Sequence, residues 1–209
     1  MEEQKFYNDK ILAYAKFYDY MLSHEIEKET KILERVKYVN NTEALFDLLL
    51  KDECILWWKG ALRIKRFFGN EYWTSDKKDE LLKQLNEACD DSSINKNIVK
   101  TIGNGNYKGI SFPIASTLVY FFSQRNCPII DKRALQTLKE YGYEIRNDDW
   151  DKYFDVCKKI IDDCHISFRE LDKALWIYPD VCQKEKNYLH ICKKLNDLKI
   201  AIHPALNVP

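Results

Sequence analysis

An all-α fold is predicted, on three observations. The 209 residues include only 6 Gly and 5 Pro, too little turn punctuation for many short strands. Apolar residues recur at three- and four-residue steps along nearly the whole chain, which is the spacing of a helix face. No stretch alternates with period two, and no Asn-Gly hairpin separates β-branched runs.

The helices follow in order. Tyr7, Ile11, Tyr14, Tyr18 and Met21 set one face of an opening helix. A second apolar run begins near Glu43 and continues through ALFDLLLKDECILWWKGALRIKRFF, with a break expected around Asp52. Leu81, Leu82, Leu85 and Ala88 mark another helix, and Ile94, Ile98 and Ile102 a short one that the Gly-Asn-Gly at 103–105 stops. Ser111 suits the N-cap of an apolar helix reaching Phe122, with Pro113 in its first turn. After the loop SQRNCP, Ile-Ile-Asp opens the helix DKRALQTLKEYG. Trp150, Tyr153, Phe154, Cys157, Ile160, Ile161 and Cys164 form one stripe. Ser167 followed by Glu170 reads as a capping box before Leu171, Ala174 and Leu175. Tyr188, Ile191, Cys192 and Leu195 close the series.

At 45% hydrophobic and 32% charged the composition is globular, and residues 1–209 are enough for one all-helical domain with a substantial core. The opening MEEQKFYNDK carries charges where a signal peptide needs an apolar core, so a cytoplasmic protein is expected. The longest uncharged stretch, 110–124, is too short to span a bilayer, and no membrane association is expected. The seven cysteines contain no CxxC pair and the four histidines show no ligand spacing, so neither a disulfide framework nor a metal is expected. Cys157 and Cys164 lie on the apolar stripe and read as core thiols.

Net charge is zero, but the charge is unevenly placed. From Asn95 to Lys139 there are seven bases (Lys96, Lys100, Lys108, Arg125, Lys132, Arg133, Lys139) and one acid, Asp131, for a net +6. A local cationic field is what phosphate attraction needs; a chance cluster of surface lysines is the bland alternative.

Within this stretch a Gly-containing hairpin, NYKGIS, leads into the apolar helix. A tight Gly turn entering a helix exposes backbone N–H groups that lack intrahelical partners, and a phosphate suits them. Here they come from Lys108, Gly109, Ile110 and Ser111, with the Lys108 side chain adding charge. Such contacts hold a DNA backbone without reading its sequence.

The segment GNGNYKGISFPIASTLVYFFSQRNCPIIDKRAL resembles the helix-hairpin-helix motif of the DNA glycosylase superfamily that includes endonuclease III and the alkyladenine and 8-oxoguanine glycosylases. The family's Leu-Pro-Gly-Val-Gly hairpin corresponds to Tyr107, Lys108, Gly109, Ile110 and Ser111, and its catalytic aspartate, about twenty positions on, to Asp131. DKALW at 172–176 also resembles a C-terminal helix of a less studied bacterial branch. The specific match covers about 30 residues, within roughly 95–135. The resemblance implies a helical glycosylase-like fold with a central cleft, formed by one domain or by two helical subdomains flanking it.

The departures shape the expectation. Ser111 replaces the second hairpin glycine, and Arg133 replaces a histidine common two residues after the aspartate. Pro113 stands where bifunctional members carry a lysine, so Schiff-base chemistry through that position is excluded. The four closely spaced cysteines of an iron–sulfur cluster are missing. The resemblance therefore implies a monofunctional glycosylase without cofactor or metal, leaving an abasic site in double-stranded DNA whose target base is flipped out. No protein partner is predicted.

Asp131 would be the catalytic carboxylate, stabilising the oxocarbenium-like sugar as the base departs and orienting or deprotonating the attacking water. Taken without context it is a helix N-cap, and the two roles are compatible. Lys132 and Arg133 would contribute charge toward the DNA. A flipped base needs aromatic or apolar walls, for which Trp58, Lys59 and Phe112 are the candidates; core packing is the alternative for each. The base itself is not readable. Damage repair is the default, and removal of hypermodified viral bases in anti-phage defence is suggested by the divergent branch alone. Two readings from other classes stay open: a non-catalytic DNA-binding module that kept the hairpin, and a helical protein-interaction scaffold.

Overall fold

The computed structural model describes residues 8–51, 54–60, 68 and 71–182, with side chains from Ile11 to Val181. These residues are all-helical; their nearest approach to a strand is an isolated antiparallel bridge between Asn104 and Ser111. The expected break at Asp52, residues 61–67 of the second apolar run and the closing stripe from Tyr188 lie outside the described residues, as does Tyr7. By its contacts the chain divides into two units: residues 1–23 with 131–209, and residues 24–130.

The first unit contains α1 (Asn8–Met21), α8 (Lys132–Glu140), α9 (Trp150–Cys164) and α10 (Phe168–Cys182). Ile11, Tyr14 and Tyr18 are buried as their spacing predicts, but Met21 is 44% exposed, so the stripe ends a turn early. Tyr14 meets Tyr178 edge-on at 5.4 Å and Tyr18 meets Trp176 at 5.6 Å, packing α1 on α10. The α9 stripe is buried at every expected position except Ile161, which is half-buried. The capping box closes as read: Ser167 Oγ accepts from Glu170 N at 3.2 Å, and Glu170 Oε2 accepts from Ser167 N at 2.8 Å.

Pro179 lies inside α10 and has no N–H for the carbonyl of Leu175, four residues back. The hydroxyl of Thr137, buried on α8, donates to that carbonyl at 2.7 Å. Arg133 Nε donates to the next carbonyl, of Trp176, at 2.7 Å. α8 thus supplies a donor to the backbone that the proline interrupts.

The second unit contains α2 (Ser23–Val36), α3 (Thr42–Leu50), α4 (Ile55–Trp58), α5 (Ser75–Asn86), α6 (Ser92–Gly103) and α7 (Phe112–Phe122). Caps fix the starts of three: Asn41 accepts from Ala44 N, Thr74 from Lys77 N and Asp91 from Ser93 N. Sequence reasoning missed α2. Its buried face is Glu29, Ile32, Leu33 and Val36, so a carboxylate occupies a position the helical pattern expects to be apolar. On α6 the buried face is Asn95, Ile98, Val99, Ile102 and Gly103, while Ile94 is 42% exposed. α7 is buried at every residue from Ile114 to Phe121, as befits a helix apolar all round.

Beyond α7 the chain turns on two left-handed residues, Gln124 (φ 52°) and Arg125 (φ 78°), neither of them glycine. Arg125 N donates to Tyr120 O at 2.8 Å and Gln124 N to Phe121 O at 3.3 Å, closing the helix end. The chain then runs back along α7, because Ile130 N donates at 3.2 Å to Ser116 Oγ in the helix's N-terminal half.

Candidate functional site

The hairpin follows from local rules. α6 ends at Gly103, where an added Cβ would lie 2.5 Å from Phe112, so only glycine permits this approach of the next helix. The Asn104–Ser111 bridge closes the loop. Inside it, Ile110 N donates to Tyr107 O at 3.0 Å and Gly109 has φ 88°, the pattern of a type II turn with glycine at its third position. Ser111 is extended (φ −106°, ψ 172°), a conformation open to any residue, so the family's second glycine is not needed there. The amides of Lys108 and Gly109 donate to no acceptor among the described residues. The side chains of Lys108 and Ser111 are exposed, Gly109 is half-buried and Ile110 points inward.

An aromatic stack backs this turn. Tyr107, 2% exposed, lies 5.9 Å from Trp73 and nearly parallel to it, and Trp73 in turn stacks on Phe68 at 5.1 Å. The Tyr72 hydroxyl donates to the Asn106 carbonyl, and Asn106 Nδ2 donates to Thr101 O at 2.8 Å. Burial pushes the Tyr107 phenol up to about 12, and the neighbouring Glu80 carboxylate adds to the rise.

Asp131 caps α8. Its backbone is extended and its Oδ1 accepts from Ala134 N at 2.9 Å, which fixes the half-buried carboxylate at a helix N-terminus. Lys132 is exposed. Arg133 is held within its own unit: its guanidinium lies 4.0 Å over the Trp176 ring and also pairs with Asp180. Arg125 likewise pairs with Glu29, so two of the seven bases in the cationic stretch meet acids from outside it.

Sequence reasoning passed over the interior neighbours of Asp131. Tyr153, fully buried on α9, is pushed well above the usual phenol range by burial, then by Cys157, Asp172 and Asp131. Asp172 pairs at 2.5 Å with Arg169, and both are buried. The available signal was a tyrosine within an otherwise apolar stripe.

Of the three base-pocket candidates, Trp58 and Phe112 pack at different points along α7. Trp58 is half-buried and stacks on Tyr120 at 6.3 Å, with Phe121 edge-on at 5.2 Å. Lys59, also half-buried, follows it as the C-cap of α4. Phe112 begins α7 and packs against Gly103. Eight residues of helix, about 12 Å, separate Phe112 from Tyr120.

No family model, curated protein or solved structure matches this chain. The functional reading therefore rests on local geometry. Among the described residues, no group of His, Cys, Asp and Glu is arranged to hold a metal ion, and no helix is long and apolar enough to cross a membrane.

Proposed function

We propose that this chain is a monofunctional DNA glycosylase of helix-hairpin-helix type, with the fold and cleft of that superfamily, and that Asp131 is its catalytic carboxylate. The observation that carries the reading is the path of the chain around α7. A type II turn with two unengaged amides and an exposed lysine starts the helix. The run after the helix comes back to Ser116, about 8 Å along the axis from the hairpin's last residue. The next residue after that run is Asp131, whose carboxylate is locked by a cap bond.

In this reading the turn amides and Lys108 hold a backbone phosphate, which positions the duplex without reading its sequence. The target nucleotide is flipped out. As its N-glycosidic bond breaks, the base leaves with the bonding electrons and positive charge builds on the sugar. Asp131 stabilises that charge and accepts a proton from the water whose oxygen bonds to C1′. Pro113, second in α7, has no amine, so no imine forms there and the product is an abasic site.

The test is incubation of wild type and Asp131→Asn with duplexes carrying damaged and hypermodified bases, followed by alkali to reveal abasic sites. Cleavage by wild type alone supports the reading. Equal cleavage by both removes Asp131 from the mechanism, and salt-dependent binding without any cleavage favours a non-catalytic DNA-binding module.

A further inference from the structure

The geometry assigns Ser116 as a positioning residue for the carboxylate of Asp131, acting through the peptide of Ile130; the inference rests on the glycosylase reading above. Ser116 is fully buried in α7. Its Oγ accepts from Ile130 N at 3.2 Å and donates to the carbonyl of Pro113 at 3.3 Å. One hydroxyl therefore links the first turn of the hairpin's helix to the residue that precedes Asp131.

The link is the last of three along the same run. Glu29, fully buried on α2, accepts from Arg125 Nε at 2.8 Å and from the Tyr120 hydroxyl at 2.5 Å. Asn95, fully buried on α6, donates to Asn126 O at 2.9 Å and to Cys89 O at 2.7 Å, while its Oδ1 accepts from Cys89 N at 3.1 Å. Between these ties the side chains of Cys127, Pro128, Ile129 and Ile130 are buried. Apolar contact alone is non-directional and leaves such a run free to slide along α7. Directional bonds at residues 125, 126 and 130 remove that freedom. The two left-handed residues at the start of the run are the strained turn that delivers Arg125 to Glu29.

Ser116 stands out because it acts one peptide away from Asp131 and because its neighbour provides a matched control. Thr117, equally buried, donates to the same Pro113 carbonyl at 2.8 Å but makes no bond to the return run among the described residues. Loss of either hydroxyl disturbs the first turn of α7; loss of Ser116 alone also releases Ile130. A misplacement of about 1 Å at a reacting group costs on the order of 100-fold in rate.

The experiment compares wild type, Ser116→Ala and Thr117→Val under single-turnover conditions, with DNA affinity and melting temperature measured on the same samples. The expected result is a cleavage rate lowered roughly 10- to 100-fold in Ser116→Ala, with affinity within about twofold of wild type. Thr117→Val should cleave at nearly the wild-type rate, and amide exchange at Ile130 should accelerate only in Ser116→Ala. An unchanged rate in Ser116→Ala, or an equal loss in both variants, would overturn the assignment while leaving the glycosylase reading intact. A wild type that cleaves no substrate would overturn that reading, and the assignment with it.

Discussion

Ser116 and Ile130, fourteen residues apart in the chain, are joined by an N–H···O bond of 3.2 Å that is buried on all sides. It fixes the register of an extended run against the helix it has just left. The bond gives the spacing between hairpin and aspartate a physical meaning: one helix out, one extended run back, and the next residue is the carboxylate.

The bond between Thr137 and Leu175 compensates for Pro179. Replacing Thr137 by the isosteric valine leaves a buried carbonyl unsatisfied, and should cost about 1–3 kcal/mol in denaturant unfolding. In a Pro179→Ala background the helix supplies its own N–H, so the same substitution should cost clearly less. Equal costs in the two backgrounds would show that the threonine does not serve the proline.

Gly109 has φ 88°, a value that strains any residue with a Cβ. On the proposed reading, in which the turn meets phosphate alone, Gly109→Ala should weaken DNA binding by a similar factor for all sequences. Lys108→Gln should reduce the slope of log affinity against log salt by about 1, corresponding to one lost phosphate contact. A titration of binding against salt checks both, and an unchanged slope would place Lys108 away from the DNA.

Tyr107 gives stability an alkaline limit. The unfolded phenol ionises near 10. The folded one, raised to about 12, stays neutral longer. The unfolded state therefore loses protons first as the pH rises, so stability is intact below pH 10 and declines between pH 10 and about 12, by up to roughly 3 kcal/mol. Tyr107→Phe should flatten that decline, with Tyr153, Cys157 and Cys164, which burial also raises, responsible for what remains. Unfolding curves of the two proteins between pH 8 and 11 make the comparison, and parallel pH profiles would argue against the assignment.

Gln124 occupies the left-handed position beyond α7 that glycine usually takes. Gln124→Gly should stabilise the protein by about 1 kcal/mol, since relief of backbone strain outweighs the added freedom of the unfolded chain. Thermal unfolding reads the sign directly.

Much of the fold was legible because its helices obey simple periodicity. The α9 stripe, the capping box at Ser167 and the Gly103 stop could all be read from spacing and turn chemistry. So could the cap at Asp131 and the turn at Gly109. What escaped notice was polar burial. Glu29 and Asn95 occupy interior positions as partners of a loop distant in sequence, so α2 went unread and the buried face of α6 was assigned to Ile94 in place of Asn95. Arg133 read as a cation contributing charge toward DNA, and its partners Asp180 and Trp176 lie more than forty residues on. Trp58 and Phe112 read as candidate walls for a base, but aromatic character carries no information about which end of α7 a ring packs against.

The role proposed for Asp131 is tested most directly by comparing wild type with Asp131→Asn on a duplex bearing an excisable base. Asparagine caps a helix as well as aspartate does, so melting temperature and DNA affinity should be unchanged while the carboxylate's charge is lost. Abasic sites are expected from wild type, and a rate lower by at least about 100-fold from the variant. Cleavage at the wild-type rate by Asp131→Asn would contradict that role.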